Sequence, residues 1–294
     1  MKKKYIIISA VRNEEDYIRN TMESVINQTI LPEKWVLVND GSNDRTPQII
    51  ESYQNKYPWI LKIDLNDRGY YLPGEGIVKA FYKGFDLIKD MDWDFIIKMD
   101  CDLSFETDYI EKLLNEFFLN PKLGIASGGI YNVISENKII KEKGKEDHPW
   151  GAAIMYYKDC FNQIGGIQPT LGWELASVIN AQIHGWSTKC FSNLVLHHYR
   201  LTGNRHGGLT KGRFRHGRNL YRFGYPLYYT FLKAFNRMLE KPYFIGSTAI
   251  IIGYIFASIK KESYIYDKNM RDHLKKRLKK IIIFNIGFHD KKKK

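Results

Sequence analysis

Two aspartates separated by a single residue end the apolar segment Ile96-Ile97-Lys98-Met99-Asp100-Cys101-Asp102. Paired carboxylates repel one another unless a positive charge lies between them. Hard divalent cations such as Mg²⁺ take oxygen ligands and share their shell with substrate phosphates, so the pair points to a metal–diphosphate site. A surface turn carrying two solvated acids has the same spacing. What separates the two readings is the stretch before the pair, which is edged by Asp92-Trp93-Asp94-Phe95 and predicts a buried parallel strand. Side chains i and i+2 of a strand face the same way, so Asp100 and Asp102 are expected to project together where it stops. In open α/β sheets that is the ligand end.

The elements that must position this pair alternate along the chain. Tyr5–Ser9 reads as a first strand, and Ile18, Met22, Val25 and Ile26 mark one face of the helix after it. Strands are expected at Trp35–Val38, Leu61–Leu65, Ile96–Met99 and Gly124–Ser127. Helices are expected from Pro47 to about Tyr57, from Ile77 to Ile88, and after Glu106, where Ile110, Leu113, Leu114 and Phe117 share a face. Such alternation predicts an α/β fold, a Rossmann-like, mostly parallel central sheet with helices on both faces. Beyond residue 130 the pattern loosens. A charged loop is expected at Asn137–Asp147, a short strand at Ile154–Tyr157, a helix at Leu175–His184 and a last strand at Val195–Tyr199. Thr202–Gly217 reads as a glycine-rich basic loop, and a domain boundary is placed near residue 220.

Charge is unevenly distributed over the 294 residues. Residues 1–199 hold 22 Lys/Arg against 27 Asp/Glu, a balance of −5, whereas residues 200–294 hold 23 against 5, a balance of +18. A basic tail on a slightly acidic body suggests a polyanionic surface as partner. Nucleic acid is set aside because no helix-turn-helix, zinc-finger or RRM signature accompanies the basic residues. Tyr243–Ile259, about seventeen mostly apolar residues flanked by Lys241 and by Lys260-Lys261, favours an anionic membrane surface. The tail 221–294 is therefore expected to be a helical, basic, membrane-associating region. It would be monotopic at the cytoplasmic leaflet, with one short membrane helix over 242–259 as the alternative. Three cysteines without paired spacing fit a reduced compartment, and the short apolar run after Lys2-Lys3-Lys4 reads as a strand, so a cytoplasmic location is expected.

Val11-Arg12-Asn13-Glu14-Glu15, Val38-Asn39-Asp40-Gly41-Ser42-Asn43-Asp44-Arg45-Thr46 and Met99-Asp100-Cys101-Asp102 resemble the motifs of family 2 glycosyltransferases of GT-A fold. Gly172-Trp173-Glu174, Gly185-Trp186 and His197-His198-Tyr199-Arg200-Leu201-Thr202-Gly203 resemble the acceptor half of bacterial members. The resemblance implies a donor half at about 1–130, an acceptor half at about 131–220, and glycosyl transfer from a nucleotide-diphospho-sugar to an acceptor hydroxyl with inversion. Carried over by position, Asp40 would contact the base and the loop Ala10, Val11, Arg12, Asn13 and Glu14 would wrap base and ribose. Asp100 would reach the ribose or the metal, and Asp102 would bind Mg²⁺ or Mn²⁺. Glu174 falls at the place of the catalytic base.

Charge chemistry agrees with those roles. A departing diphosphate gathers negative charge, which a divalent cation offsets and which Arg68 and Lys79 would offset further. An attacking hydroxyl needs a carboxylate to accept its proton. Trp173 is placed to stack on a sugar ring, and Trp150 with Gly151 to line the site. His198, or His197 beside it, is a candidate metal ligand. Relatives that carry a second acid behind the first differ from this chain, where Leu175, Ala176 and Ser177 follow Glu174. The expected donor is a UDP- or GDP-sugar and the acceptor a glycan or lipid-linked glycan of the bacterial surface. The alternatives are a sugar-phosphate nucleotidyltransferase, which would want a glycine-rich loop after the first strand, and an inactive membrane-bound scaffold of the same fold.

Overall fold

The computed structural model describes residues 3–70, 72, 74–135, 137–200, 209–240 and 242–291, with side chains as far as 279. Tyr71, Pro73, Glu136, Lys241, the expected loop at 201–208 and the side chains of Ile281–Phe284 lie outside the described residues. The chain divides into two compact units, Met1–Thr202 and Gly203–Lys294.

The first unit runs β1 (Tyr5–Val11), α1 (Ile18–Ile26), β2 (Lys34–Asp40), α2 (Thr46–Gln54), β3 (Ile60–Leu65), α3 (Glu75–Phe85), β4 (Phe95–Met99), β5 (Leu103–Phe105), α4 (Tyr109–Leu119) and β6 (Leu123–Ser135). It continues through β7 (Lys138–Lys141), β8 (Ala153–Tyr157), α5 (Lys158–Gln163), α6 (Trp173–Ile183) and β9 (Ser187–His198). The strands form one sheet in the order β3-β2-β1-β4-β8-β6-β9-β5, with β7 added to β6. Alternation along each strand serves two cores. Ile7, Leu37, Ile97 and Met99 pack with α1, α2 and α4 on one face, while Ile6, Ile8, Val38 and Ile96 pack with α3, α5 and α6 on the other.

The sheet is mixed, not mostly parallel. Only β3-β2-β1-β4 and the β6–β9 pair run parallel. β8 lies antiparallel to both β4 and β6, and β5 antiparallel to β9. The reason is local: β8 follows the long β6 excursion and reverses beside β4, with Met99 opposite Ala153. The charged stretch at 137–147 is also not all loop, since β7 hairpins onto β6. The pairing that matters most for the site is Leu103 with His198, which brings the end of β9 beside Asp102.

The second unit contains α7 (Leu209–Arg222), α8 (Leu227–Asn236), α9 (Ile245–Ile259) and α10 (Lys268–Lys291). The expected loop through Gly217 is helical from Leu209, and a boundary near 220 would cut α7. Gly217 is buried because α7 and α9 cross with backbones in contact. A Cβ there would strike the Ile250 carbonyl, and one on Gly253 would strike that of Phe214. The glycines in the apolar run thus serve packing against α7. Fifteen residues of α9 rise about 22 Å, against a hydrocarbon core of about 30 Å. Among the described residues no helix is long and apolar enough to cross a membrane.

Candidate active site

The mouth of the parallel strands is laced by charged side chains. Arg12, next after β1, donates to the Asp40 carbonyl and to Asp67 Oδ1, each at 2.8 Å. Asp40 closes β2 and its carboxylate accepts from Arg68. Burial raises Asp40 above the usual carboxylate range, with Arg68 and then Arg12 opposing the rise. Arg68 reaches across the first turn of α3, where a Cβ on Gly76 would come within 2.8 Å of its Nη2. Ala10 and Val11 are the last residues of β1, and the Val11 side chain is in the core, which leaves its backbone facing the loop. Lys79 does not join this group: it pairs with Glu75 on the exposed side of α3 at 2.6 Å.

Asp100 and Asp102 go to different partners. The Asp100 N–H donates to the Ala152 carbonyl at 2.7 Å, and its carboxylate takes the Lys98 ammonium. Lys98 lies on the same face of β4, is 3% exposed, and donates a second bond to the Gly151 carbonyl at 2.9 Å. Burial lifts Asp100 above the usual range, with Lys98 opposing and the Asp102 charge adding to the lift. Between the two acids Cys101 turns inward to the first core. Asp102 faces His198, with Oδ2 at 3.4 Å from Nε2. His198 Nδ1 lies 3.2 Å from Asn132 Oδ1, so an Nδ1–H donating there leaves Nε2 directed at Asp102. Burial disfavours the charged imidazole, but the bond and charge of Asp102 outweigh it and His198 stands above its ordinary pKa.

A third carboxylate, Glu14, stands close to both. Arg200 clasps it with Nη1 at 2.8 Å from Oε1 and Nη2 at 2.7 Å from Oε2. Burial, with Asp102 adding and Arg200 opposing, moves Glu14 up to about 8. The guanidinium also donates to the Asn13 carbonyl at 3.1 Å and lies over the Tyr17 ring. Arg200 therefore ties the exit of β9 to the loop after β1.

Glu174 sits in the first turn of α6, after Gly172 in the left-handed conformation at φ 74°. No second acid follows it, and its carboxylate instead has two other polar partners. Oε2 accepts the Gly151 N–H at 2.7 Å, and Oε1 is 2.7 Å from His148 Nε2. Gly151 in turn accepts from Lys98, so Glu174, Gly151, Lys98 and Asp100 form one connected chain of contacts. Trp173 is 7% exposed and packs in the second core beneath Lys98, so its ring has no open face for a sugar. Trp150 donates its backbone N–H to Ser127 Oγ at 2.7 Å, and its ring packs against the first core. Trp173 is thus a core residue, whereas Trp150 stays half-buried at the core's edge.

Among the described residues, no three His, Cys, Asp or Glu side chains make a complete cage for an ion. The donor set suits a cation finished by phosphate oxygens. Asp102 Oδ1 is buried without a hydrogen-bond partner, and His198 Nε2 stands beside the same carboxylate. Mg²⁺ and its congeners commonly take one or two protein carboxylates and leave the remaining positions to substrate phosphates.

The profile of glycosyl transferase family 2 matches residues 6–171, and the chain belongs to that family. The sheet and helices just described are those of its GT-A fold. It is 25% identical over 120 residues to the poly-beta-1,6-N-acetyl-D-glucosamine synthase of Staphylococcus epidermidis, covering 40% of this chain and 26% of that protein. It is 44% identical over 62 residues to the minor teichoic acid biosynthesis protein GgaA of Bacillus subtilis, covering 20% of this chain and 14% of that one. The match thus takes in about a quarter or less of the length of these curated relatives. The mannosyltransferase PcManGT of Pyrobaculum calidifontis, solved with GDP-Man and Mn²⁺, shares the fold at a TM-score of 0.54 and 12% identity over 96% of this chain and 81% of that one.

Sequence alone does not mark Arg200, Lys98 and His148 as part of this cluster. Lys98 carried a signal, since a lysine inside an apolar strand needs a buried partner. His148 and Arg200 meet their carboxylates only through tertiary pairing.

Proposed function

We propose that the chain is an inverting, metal-dependent glycosyltransferase that moves a sugar from a UDP- or GDP-sugar to a glycan or lipid-linked acceptor at the cytoplasmic face of a membrane. The observation that carries the reading is the buried, unpartnered Asp102 oxygen beside His198 at the ligand end of the parallel strands. Asp102 and His198 would hold Mg²⁺ or Mn²⁺, which when bound supplies positive charge against the oxygens of a departing diphosphate. Arg12, Asp40 and Arg68 would border the base and ribose, and Ala10, Val11 and Glu14 would shape the loop around them. Asp100, held by Lys98, would face the ribose. Lys79, turned to Glu75, has no part in this arrangement.

Glu174 would take the proton of the attacking hydroxyl. Its two oxygens are oriented by His148 and the Gly151 N–H, and a carboxylate has lone pairs left for a third partner. The relatives in polysaccharide and teichoic acid synthesis support a surface-glycan product. Calorimetry with UDP and GDP, with and without Mn²⁺, together with transfer assays over a nucleotide-sugar panel, tests the reading. Asp102→Asn is expected to abolish the Mn²⁺-dependent part of nucleotide binding. Glu174→Gln is expected to retain that binding and to lose transfer by about 10²- to 10⁴-fold. Full activity in Asp102→Asn would refute the metal role.

A further inference from the structure

The second unit shows an apolar face that its own helices leave open. On α8, Tyr228, Phe231, Leu232 and Phe235 recur at i, i+3, i+4 and i+7, and are 45, 48, 47 and 69% exposed. On α9, Ile245, Ile252, Phe256 and Ile259 form a second outward stripe. The opposite sides of both helices are already occupied: Ala234 and Ile250 are buried, and Gly253 meets α7. An open groove of about 620 Å³ separates α8 from α9, lined by Phe231, Phe235, Phe244 and Ile251 and almost wholly apolar. Protein surfaces seldom leave contiguous apolar area of this kind without a partner.

We infer that this α8–α9 face seats the chain in the headgroup–acyl boundary of an anionic lipid leaflet, with lipid tails filling the groove. The inference names the surface for the membrane contact proposed above, and rests on that part of the reading alone. Two observations select lipid. The first is length: the fifteen residues of α9 fall short of the roughly twenty a spanning helix uses, so a leaflet would take up its apolar stripe with the helix lying in the plane of the interface. The second is charge. Residues 200–294 carry 23 basic against 5 acidic side chains, and the exposed Lys260 and Lys261 follow Ile259 directly at the end of the stripe. Lys233 and Arg237 belong to α8 and the turn after it. A second copy would bring like charge against like, whereas an anionic leaflet supplies the opposite sign.

Co-sedimentation of the full chain with vesicles tests this, using equal parts phosphatidylglycerol and phosphatidylcholine against phosphatidylcholine alone. The chain is expected to bind the anionic vesicles at least about tenfold more tightly, with binding weakened by salt. The double variant Phe231→Asp/Phe235→Asp changes exposed positions, so its melting temperature should stay near that of the parent while binding falls about tenfold or more. Lys260→Glu/Lys261→Glu should weaken binding severalfold and flatten the salt dependence. If the parent binds anionic vesicles and the Phe231/Phe235 variant binds equally well, the surface assignment is wrong and the membrane reading survives. If the parent binds neither vesicle, both fall, whereas the transferase reading, tested by nucleotide binding, is untouched. A parent that is dimeric in solution, made monomeric by the Phe231/Phe235 variant and indifferent to vesicles, would make the face a self-interface and overturn the inference.

Discussion

His148 holds one oxygen of Glu174 and the Gly151 N–H holds the other. A carboxylate so fixed keeps its direction without losing the lone pairs a base needs. His148→Ala is expected to lower kcat about tenfold while leaving the donor KM within about twofold. His148→Gln, which retains a donor toward Oε1, should recover most of the loss. A donor KM that rose in step with the fall in kcat would mean that His148 shapes the donor pocket instead. Residues of this kind mark the border of what a sequence discloses. Asp100, Asp102 and Asp40 are legible because they end apolar strands, and a strand end is visible as a change from apolar to polar. His148 sits in a charged loop among Lys145, Glu146 and Asp147, where nothing distinguishes it until β8 and α6 close around it. The aspartate pair divides the matter. Alternation predicts a shared direction, and the two carboxylates do act on one another, but β4 stops at Met99, and which partner each acid takes, Lys98 for Asp100 and His198 for Asp102, comes only from the fold.

The elements of the first unit follow their hydrophobic periods closely, whereas glycine misleads in the second. Gly212 and Gly217 suggest a loop between residues 202 and 217, yet Gly217 is an interior helix position chosen by the crossing with α9. Glycine marks either a turn or a close approach, and only the partner helix decides between them. Gly253→Leu would drive a side chain into the Phe214 carbonyl, so α7 and α9 must separate. The expected result is a loss of at least about 2–3 kcal/mol from the second unit, seen as an earlier thermal or urea transition, with the first unit's melting unchanged. Inside the same bundle, burial first, and then Lys233, Arg237 and Arg213, depress the His216 imidazole to about 3. Because the folded pKa lies below the unfolded value near 6.5, the stability tied to neutral His216 is complete above that value and drains away as pH falls toward 3. At pH 5.5 the loss is on the order of 1 kcal/mol. Melting curves of parent and His216→Phe between pH 7.5 and 4.5 check it: the variant should show the shallower decline.

At the scale of the molecule, charge asymmetry was visible by counting, since −5 and +18 lie on either side of residue 200. The mixed sheet was not visible, because strand direction depends on where a distant segment re-enters and no local pattern encodes it. The break between the units, at Thr202, falls just after Arg200 has secured the loop carrying Glu14. The first unit also contains every thiol in the chain. Cys101 at the strand mouth, Cys160 on α5 and Cys190 on β9 are free and buried, and burial raises the pKa of each. Under native conditions a soluble disulfide reagent should find almost nothing to titrate, and three equivalents after denaturation. Labelling followed by mass mapping then becomes a clock for breathing motions. Modification of Cys101 ahead of Cys160 and Cys190 would mean that the end of the sheet carrying Asp100 and Asp102 opens before its helical flank. A bound nucleotide that slowed Cys101 alone would report occupancy without any sugar being transferred.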